Sequence, residues 1–579
     1  MRLATSYFKP SGALFRENLK RFWAVPALGM LCWFFAGIFP ILVENGGITN
    51  WLRMAAEMRH PAFLIFTPIF PLMASAAALR YLFSPGAVAA MHKLTLTRGR
   101  LYCTSFVYAA AMSLAPAAVT YLVLGVAGIP EGFNMLPAFA LTALLTLFYT
   151  ALFHVAAMLT GNSVMHLGAC AFLSFALPAL VMLVGAYCQT LLFGYDGETV
   201  TGTLALRLVP LFYVFDESVL QSAGWMASYI LAVPALYAAG AALYARRPLE
   251  KAGDSIVFPF FELIFTFVVA FAGMSLMSLL FDSAGWGYFP LNSGLVIGAA
   301  ISFVMARMVS KKSLRVFNKS TLANGGVFAA AAALLLSVLS FDLTGYELRV
   351  PSPERVASVE VSRSFIDPLS DRYFYGFYAS NNGNLVFTEP ENIRAVTELH
   401  RDITELRDSY GHRGVNNRMW FGRLSTSIYL RYDTGPGALS RRYYTPTDQI
   451  MNDANTRTLF ESEEFKLQND VTNGAFGRPD RISINAFFGE YYRDPDAVDD
   501  APMSSSITLS SDEYGELLGA LSADMRGETW EQFTSYPFSY VTVNIDYVSE
   551  RPETQGGLRS AGAAIPVPTH YARTMAWLT

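Results

Sequence analysis

A hydrocarbon layer about 30 Å thick is crossed by roughly 20 predominantly apolar helical residues, and apolar runs of that kind recur along the first 343 residues of this 579-residue chain. They are placed at Ala24 to Val43, Pro61 to Phe83, Ser105 to Gly128, Leu136 to Leu159, Leu167 to Leu191, Gly224 to Tyr244, Val257 to Phe281, Leu291 to Val309 and Gly325 to Phe341. Only helices and closed barrels satisfy backbone polar groups in lipid, so the reading is a polytopic α-helical membrane protein with about nine transmembrane helices. A composition of 53% hydrophobic and 15% charged residues agrees.

Charge sets the expected orientation. Arg16, Lys20 and Arg21 precede the first span; Lys93, Arg98 and Arg100 follow the second; Arg246, Arg247 and Lys251 follow the sixth; Lys311, Lys312, Arg315 and Lys319 follow the eighth. All four clusters fall on one side, which the positive-inside rule makes the cytoplasm of a cell-membrane protein. Nine crossings then put the remainder of the chain outside. The first 343 residues carry 20 Lys and Arg against 13 Asp and Glu, whereas residues 344–579 carry 22 against 33, with Lys466 the sole lysine. Cys32, Cys103, Cys170 and Cys188 all lie in the first part, so the second is expected to fold on an ordinary core without disulfides.

Before the first span, Leu14, Phe15, Leu19, Phe22 and Trp23 share one helical face and Arg16, Glu17, Lys20 and Arg21 the other. That pattern predicts an interfacial helix over residues 1–23 leading into an uncleaved anchor. Met91 to Tyr102, MHKLTLTRGRLY, reads as a short basic loop opened by Ser84-Pro85-Gly86, with Met91, Leu94 and Leu96 as apolar tips and Lys93, Arg98 and Arg100 as charges. On charge alone such residues stay with anionic headgroups and hold topology.

Four segments carry a resemblance. TSYFKPSGALFRENLKRFW resembles the N-terminus of ABC-2-type transporter permeases of Gram-positive bacteria, MHKLTLTRGRLY is similar to their loop between spans two and three, RRPLEKAGD to their connector after the sixth span, and KKSLRVFNKS to a basic loop before their last span. Leu96 departs from that family's pattern, which commonly has Pro or a small apolar residue there. The resemblance implies a six-helix permease core over 24–246, three additional transmembrane helices over 247–343, and a separate cytosolic ABC ATPase subunit that binds ATP-Mg, with no cofactor in this chain. It also implies a second permease chain, identical or not. In the family the interfacial helix and the following loop press on the ATPase. Here those are Phe15, Arg16, Lys20, Arg21 and Trp23, and Met91, Lys93, Leu94, Leu96, Arg98 and Arg100. Independently, the sequence contains no G-x-x-x-x-G-K-[ST] phosphate cradle, so nothing in it marks a nucleotide-binding domain of its own.

Glu262, in FELIF near the start of the seventh span, is a candidate intramembrane functional acid, weighed against an acid paired to a neighbouring helix; Arg80 calls for the same comparison. Residues 194–219, broken by Gly194, Gly197, Gly202 and Pro210, read as half-helices dipping into the outer leaflet or as an amphipathic loop.

From residue 344 short β-rich segments alternate with helices, an α+β region. Thr388-Glu-Pro-Glu391 and Ser510-Ser-Asp-Glu513 both have capping-box spacing, and counted from the cap Val396 matches Leu518, Leu399 matches Leu521 and Ile403 matches Met525. Two similar lobes are expected, near 350–450 and 475–550. His400 and His412 stand apart from any cysteine, DRYFYGFY reads as strand core, and Asp494, Asp496, Asp499 and Asp500 lack the spacing of a calcium loop, so no catalytic or metal set emerges.

The expectation is a transport subunit, an exporter, and not an enzyme, with membrane lipid among its contacts and no nucleic acid. Two alternatives remain: a membrane-bound peptide or antibiotic sensor with external ligand-binding lobes, and a polytopic glycosyltransferase using Glu44 or Glu57 as base.

Overall fold

An apolar run folds most cheaply as a helix, whose N–H and C=O groups bond within the segment. A computed structural model describes residues 9–39, 61–126, 135–210, 222–283, 288–362, 384–407, 425–435, 438–470, 472, 478–488, 503–509, 511–534, 541–548, 560–568 and 570–578. The chain is mostly helical and divides into two units, residues 1–185 with 200–336, and residues 186–199 with 337–579. The second unit thus begins at residue 337 and also takes in a short excursion between two spans.

The first unit contains α1 (Gly12–Arg21), α2 (Ala24–Trp33), α3 (Pro61–Leu79), α4 (Pro85–His92), α5 (Arg98–Val126), α6 (Met135–Leu159), α7 (Ser163–Leu191), α8 (Thr203–Leu208), α9 (Ala223–Arg246), α10 (Pro259–Ser283), α11 (Tyr288–Lys311) and α12 (Lys319–Ser340). The last turn and a half of α7 and the last turn of α12 belong to the second unit. Among the described residues eight helices are long and apolar enough to cross a membrane, and a ninth is reached if α1 and Ala24–Ile38, bent by 66°, count as one span. The sharp bend separates a polar helix from an apolar one, as an interfacial helix requires.

Helix starts are set by side-chain caps. Ser11 Oγ accepts from Leu14 N, Asn162 Oδ1 from Met165 N at 2.9 Å, and Asn318 Oδ1 from Thr321 N at 2.8 Å. Helix α5 begins at Arg98, seven residues before the span expected from hydropathy, because Thr97 Oγ1 accepts from Arg100 N at 3.3 Å and Thr97 O from Leu101 N at 3.0 Å. Small residues allow α10 and α11 to approach closely: a Cβ on Gly298 would lie 2.9 Å from Gly273 O, and one on Gly294 2.9 Å from Met277 O.

Among its described residues the second unit holds two four-stranded antiparallel sheets. The first is built from β1 (Ser358–Val361), β2 (Leu385–Phe387), β3 (Ser425–Asp433) and β4 (Ala438–Pro446), with α13 (Pro390–Glu405) between β2 and β3, and is followed by α14 (Thr447–Met451), α15 (Ala454–Glu461) and α16 (Glu463–Gln468). The second is built from β5 (Arg478–Phe488), β6 (Met503–Thr508), β7 (Val541–Val548) and β8 (Ser560–Pro566), with α17 (Ser511–Gly527) and α18 (Trp530–Thr534) between β6 and β7, and is followed by α19 (Ala572–Leu578). Strand orders β2-β1-β3-β4 and β6-β5-β7-β8 are the same topology. Register matches too: Val359 and Val361 oppose Tyr432 and Leu430, as Ile482 and Ile484 oppose Ile545 and Val543. Of the residues matched between the two expected lobes, Val396, Leu399 and Ile403 are buried in the core beside the first sheet and Leu518 and Leu521 in the core beside the second, with Met525 packed against the latter.

The first capping box is not formed as read. Helix α13 is capped at Glu389 with no side-chain bond of its own. Instead the Glu464 carboxylate, from α16, accepts from Thr388 N at 2.6 Å, Thr388 Oγ1 at 2.7 Å and Asn392 Nδ2 at 2.8 Å. Burial raises the Glu464 pKa, but bonds from Asn392, Thr388 and Glu389 outweigh it and hold the carboxyl below its ordinary value. Ser510, the other cap, lies outside the described residues, as do His412, residues 371–378, Asp494, Asp496, Asp499, Asp500, Glu44 and Glu57.

Candidate functional site

The turns between the spans of the first unit meet at one end of the bundle. Gly253 N donates to Gly161 O at 2.7 Å, Ser255 Oγ to Val309 O at 3.0 Å, Lys312 Nζ to Gly253 O, and Arg247 to Leu82 O at 3.3 Å. Arg98, Arg247 and Lys312, from three of the basic clusters, make their contacts here.

Helix α1 lies on α5. Ser11 N donates to Thr104 Oγ1 at 2.8 Å, Phe15 meets the Tyr108 ring edge-on at 5.9 Å, and Tyr108 Oη donates to Phe22 O at 3.3 Å. Arg16, Lys20 and Arg21 are exposed, and Trp23 is 65% exposed at the bend. The Arg21 guanidinium lies 5.4 Å from the Phe22 ring centroid.

The segment Met91 to Tyr102 is not one loop. Met91 and His92 end α4, Lys93 to Thr97 form a tight turn, and Arg98, Arg100 and Tyr102 lie on α5. Of the three expected apolar tips only Leu94 is presented, 47% exposed; Met91 and Leu96 pack against the cluster of Leu79, Leu82, Leu101, Tyr102 and Tyr244. Met91, on α4, and Leu96, in the turn, gain by leaving water for that adjacent core. Lys93 is exposed, whereas Arg98 and Arg100 are half-buried.

Arg98 has an intramolecular task. Its Nη1 donates to the carbonyls of Tyr244 at 3.2 Å, Ala245 at 2.9 Å and Arg247 at 3.1 Å, the C-terminal end of α9. A cation in the first turn of its own helix is disfavoured by the macrodipole, and the same charge at the C-terminus of a neighbour is favoured. Arg247 repeats the device in a buried position: its Nη1 donates to Ala157 O and Met158 O, both at 2.7 Å, near the end of α6. Tyr244 Oη completes the lock, 3.0 Å from Tyr81 Oη and 3.2 Å from His92 Nε2. Orphan carbonyls of two helices are thereby satisfied by arginines from adjacent turns. Arg247 sits in the connector RRPLEKAGD, where the sequence shows a charge but not that it points inward.

Glu262 is a paired acid. Arg307 Nη1 donates to its Oε1 at 2.7 Å and Lys311 Nζ contacts the same carboxylate at 3.0 Å, while Arg307 Nη2 reaches Thr321 Oγ1 at 3.4 Å. The carboxylate joins α10 to α11, and Arg307 carries the link on to α12. Removing it would leave Arg307 buried without its counter-charge.

In the second unit a further cluster forms that sequence reading passed over. The excursion expected to hold half-helices does contain short helical pieces, a π-helical turn at Glu198–Gly202 and α8, and residues 211–221 lie outside the described ones. Its first part is tied to β4: Tyr195 pairs antiparallel with Arg441, Arg442 N donates to Gly194 O at 3.3 Å, and the buried Asp196 carboxylate accepts from Ser440 Oγ at 2.5 Å and lies 3.5 Å from Arg442 Nε. Phe193 enters the core of the first lobe, 4.9 Å from Tyr443, and Phe193 N donates to Glu347 Oε1 at 2.8 Å. His400 is held between Tyr432 Oη at 3.0 Å and Tyr443 Oη at 2.8 Å; burial, then the Arg441 charge, pushes its pKa down to about 3, so it is neutral at physiological pH. The fragment GYDGE offered one signal, an acid between two glycines beside apolar residues.

The described residues therefore define a helical bundle with membrane-crossing dimensions and a locked basic end, joined to a duplicated α+β region. No family model matches the chain, nor does any curated protein or solved structure.

Proposed function

We propose that this chain is the membrane-spanning permease subunit of an ABC transporter, an exporter working with a separate cytosolic ATPase and a second permease chain. The observation that carries the reading is the basic end. There Leu94 and Lys93 project from a turn whose neighbours are fixed by Arg98 and Arg247. A transmission element must be stiff, or a push from a partner would be absorbed locally; two arginine-capped helix ends provide that stiffness. The four-segment resemblance supplies the partner's identity, and the sequence shows no phosphate cradle through which the chain would bind ATP itself.

In this reading the basic end faces the cytoplasm of a cell-membrane protein and the two lobes lie outside. Thr95 and Thr458, both exposed, test it. With the four native cysteines replaced, Thr458→Cys should react with an impermeant thiol reagent in intact cells and Thr95→Cys only after permeabilisation. The opposite labelling overturns the orientation.

A second reading is favoured by the Phe193 to Asp196 cluster. Helix α7 runs without a break to Leu191, and the next residues enter the core of the first lobe. A ligand that shifted β4 would pull directly on the chain leaving α7, which suits a sensor or a resistance component responding to peptide. Cross-linking Tyr195→Cys to Arg441→Cys should abolish any such response while leaving the complex assembled.

A further inference from the structure

The turn Lys312 to Asn318, between α11 and α12, combines two features that oppose each other in water. Leu314 and Phe317 are each 79% exposed, and Leu322, one turn into α12, is 80% exposed. Around them stand Arg307, Lys311, Lys312, Arg315 and Lys319, against the single carboxylate of Glu262. Asp254, beside Gly253, is paired with Lys251 at 3.0 Å. Lys312 Nζ is spent on Gly253 O, while Arg315 and Lys319 form no ion pair among the described residues, and the Nε of the buried Arg307 has no hydrogen-bond partner among them.

The turn is shaped, not frayed. Lys312 holds φ at 50°, a left-handed conformation that costs a lysine energy, Ser313 Oγ accepts from Arg315 N at 3.1 Å, Asn318 caps α12, and Val316 is buried between the two bare side chains. Burying Val316 while presenting Leu314 and Phe317 is a conformation that water alone would not favour.

We propose that this end of α10, α11 and α12 binds an anionic phospholipid of the facing leaflet, with Arg315 and Lys319 on the phosphate and Leu314 and Phe317 at the acyl boundary. The turn joins two helices of membrane-crossing length, so it sits at the depth where hydrocarbon gives way to headgroups. Cations there attract anionic lipid, and large apolar groups beside them gain by entering the boundary region. A cytosolic protein could match the charge, but would have to cover apolar groups that lie next to the lipid-facing side of α12. The proposal rests on the membrane reading of the first unit, not on the ATPase partner or the orientation.

The test uses the full chain in detergent, titrated with fluorescent phosphatidylglycerol and, separately, phosphatidylcholine. The wild type should prefer phosphatidylglycerol. Arg315→Ser with Lys319→Ser should weaken that binding roughly thirtyfold, the size expected from losing two surface cations. Arg315→Lys with Lys319→Arg should retain it, and Leu314→Ser with Phe317→Ser should weaken both lipids. Thermal unfolding in the same detergent identifies a variant that fails to fold, in which case Arg315→Ser alone is scored, with a severalfold loss expected. The proposal is overturned if the wild type shows no preference, if the serine variant keeps it, or if excess inorganic phosphate displaces the lipid. It is equally overturned if the Leu314 and Phe317 changes affect only association with another protein. Because detergent binding does not depend on which side faces the cytoplasm, a reversed cysteine-labelling pattern and a lost lipid preference are separate failures.

Discussion

Gly194 lies under the Tyr443 ring with φ at 75°, so that a Cβ there would overlap the aromatic carbons. The contact is the tightest point of the cluster that binds the chain after α7 to strand β4. Gly194→Ala should therefore destabilise the second unit by about 2 kcal/mol, combining overpacking with a conformation that side chains disfavour. Tyr443→Ala creates space but also removes a partner of His400, and should itself be destabilising. The double variant should be less unstable than the sum of the two, measured as thermal or denaturant midpoints; strict additivity would show that the two residues do not press on each other.

The same cluster decides where a fragment of the second unit has to begin. A fragment starting at residue 350 omits Glu347, whose carboxylate receives Phe193 N, and every fragment of the C-terminal region lacks Phe193 itself. Residues 337–579 expressed alone should melt at a lower temperature than the same fragment mixed with a peptide of residues 186–199 carrying Cys188→Ser, and neither melt should respond to reductant, since residues 337–579 contain no cysteine. Absence of any stabilisation by the peptide would place Phe193 outside the lobe core.

Lys466 gives a pH dependence of definite sign. Its ammonium donates to Glu528 O at 2.6 Å and lies 4.0 Å from the Phe460 ring centroid, so that α16 is tied to the chain just past α17. Burial lowers its pKa to about 8, against the opposing pull of Glu528 and Glu461. The unfolded chain, with an ordinary lysine pKa near 10.5, then holds more protons between about pH 8 and 10.5, so this group's contribution to stability rises with pH across that window. The melting temperature of the peptide-complemented fragment should show that rise relative to Lys466→Met, which removes the titrating group. An identical pH slope in the two proteins would contradict the buried placement.

Sequence reading reached the features that depend on periodicity. Apolar runs pointed to the long helices of the first unit, although α5 starts seven residues and α12 six residues before the expected runs, and the matched spacing of Val396 with Leu518 and Leu399 with Leu521 falls in two sheets that share strand order. What it missed depends on residues distant in the chain. Glu464 caps a helix 75 residues before it. Arg98 serves the carbonyls of α9, and Asp196 is satisfied by a strand 244 residues later. No local pattern distinguishes such a buried charge from a solvated one. At the basic turn the same limit applied: Met91, Leu94 and Leu96 look alike in sequence, and only the fold shows that two of them face a core.

Leu94 accordingly bears the central claim. The full-length chain, purified from its own cells in a mild detergent, should carry a polypeptide with a G-x-x-x-x-G-K-[ST] motif and hydrolyse ATP through it. Leu94→Asp places a charge at the one exposed apolar tip, and should reduce both the co-purified ATPase and the hydrolysis by about tenfold or more, the loss expected when an interface anchor is removed. Insertion and melting temperature of the variant should stay those of the wild type, because the Leu94 side chain supports no described core. If the wild type brings no ATPase with it, or if Leu94→Asp keeps full association and full hydrolysis, the basic end is not where a partner's work enters this protein.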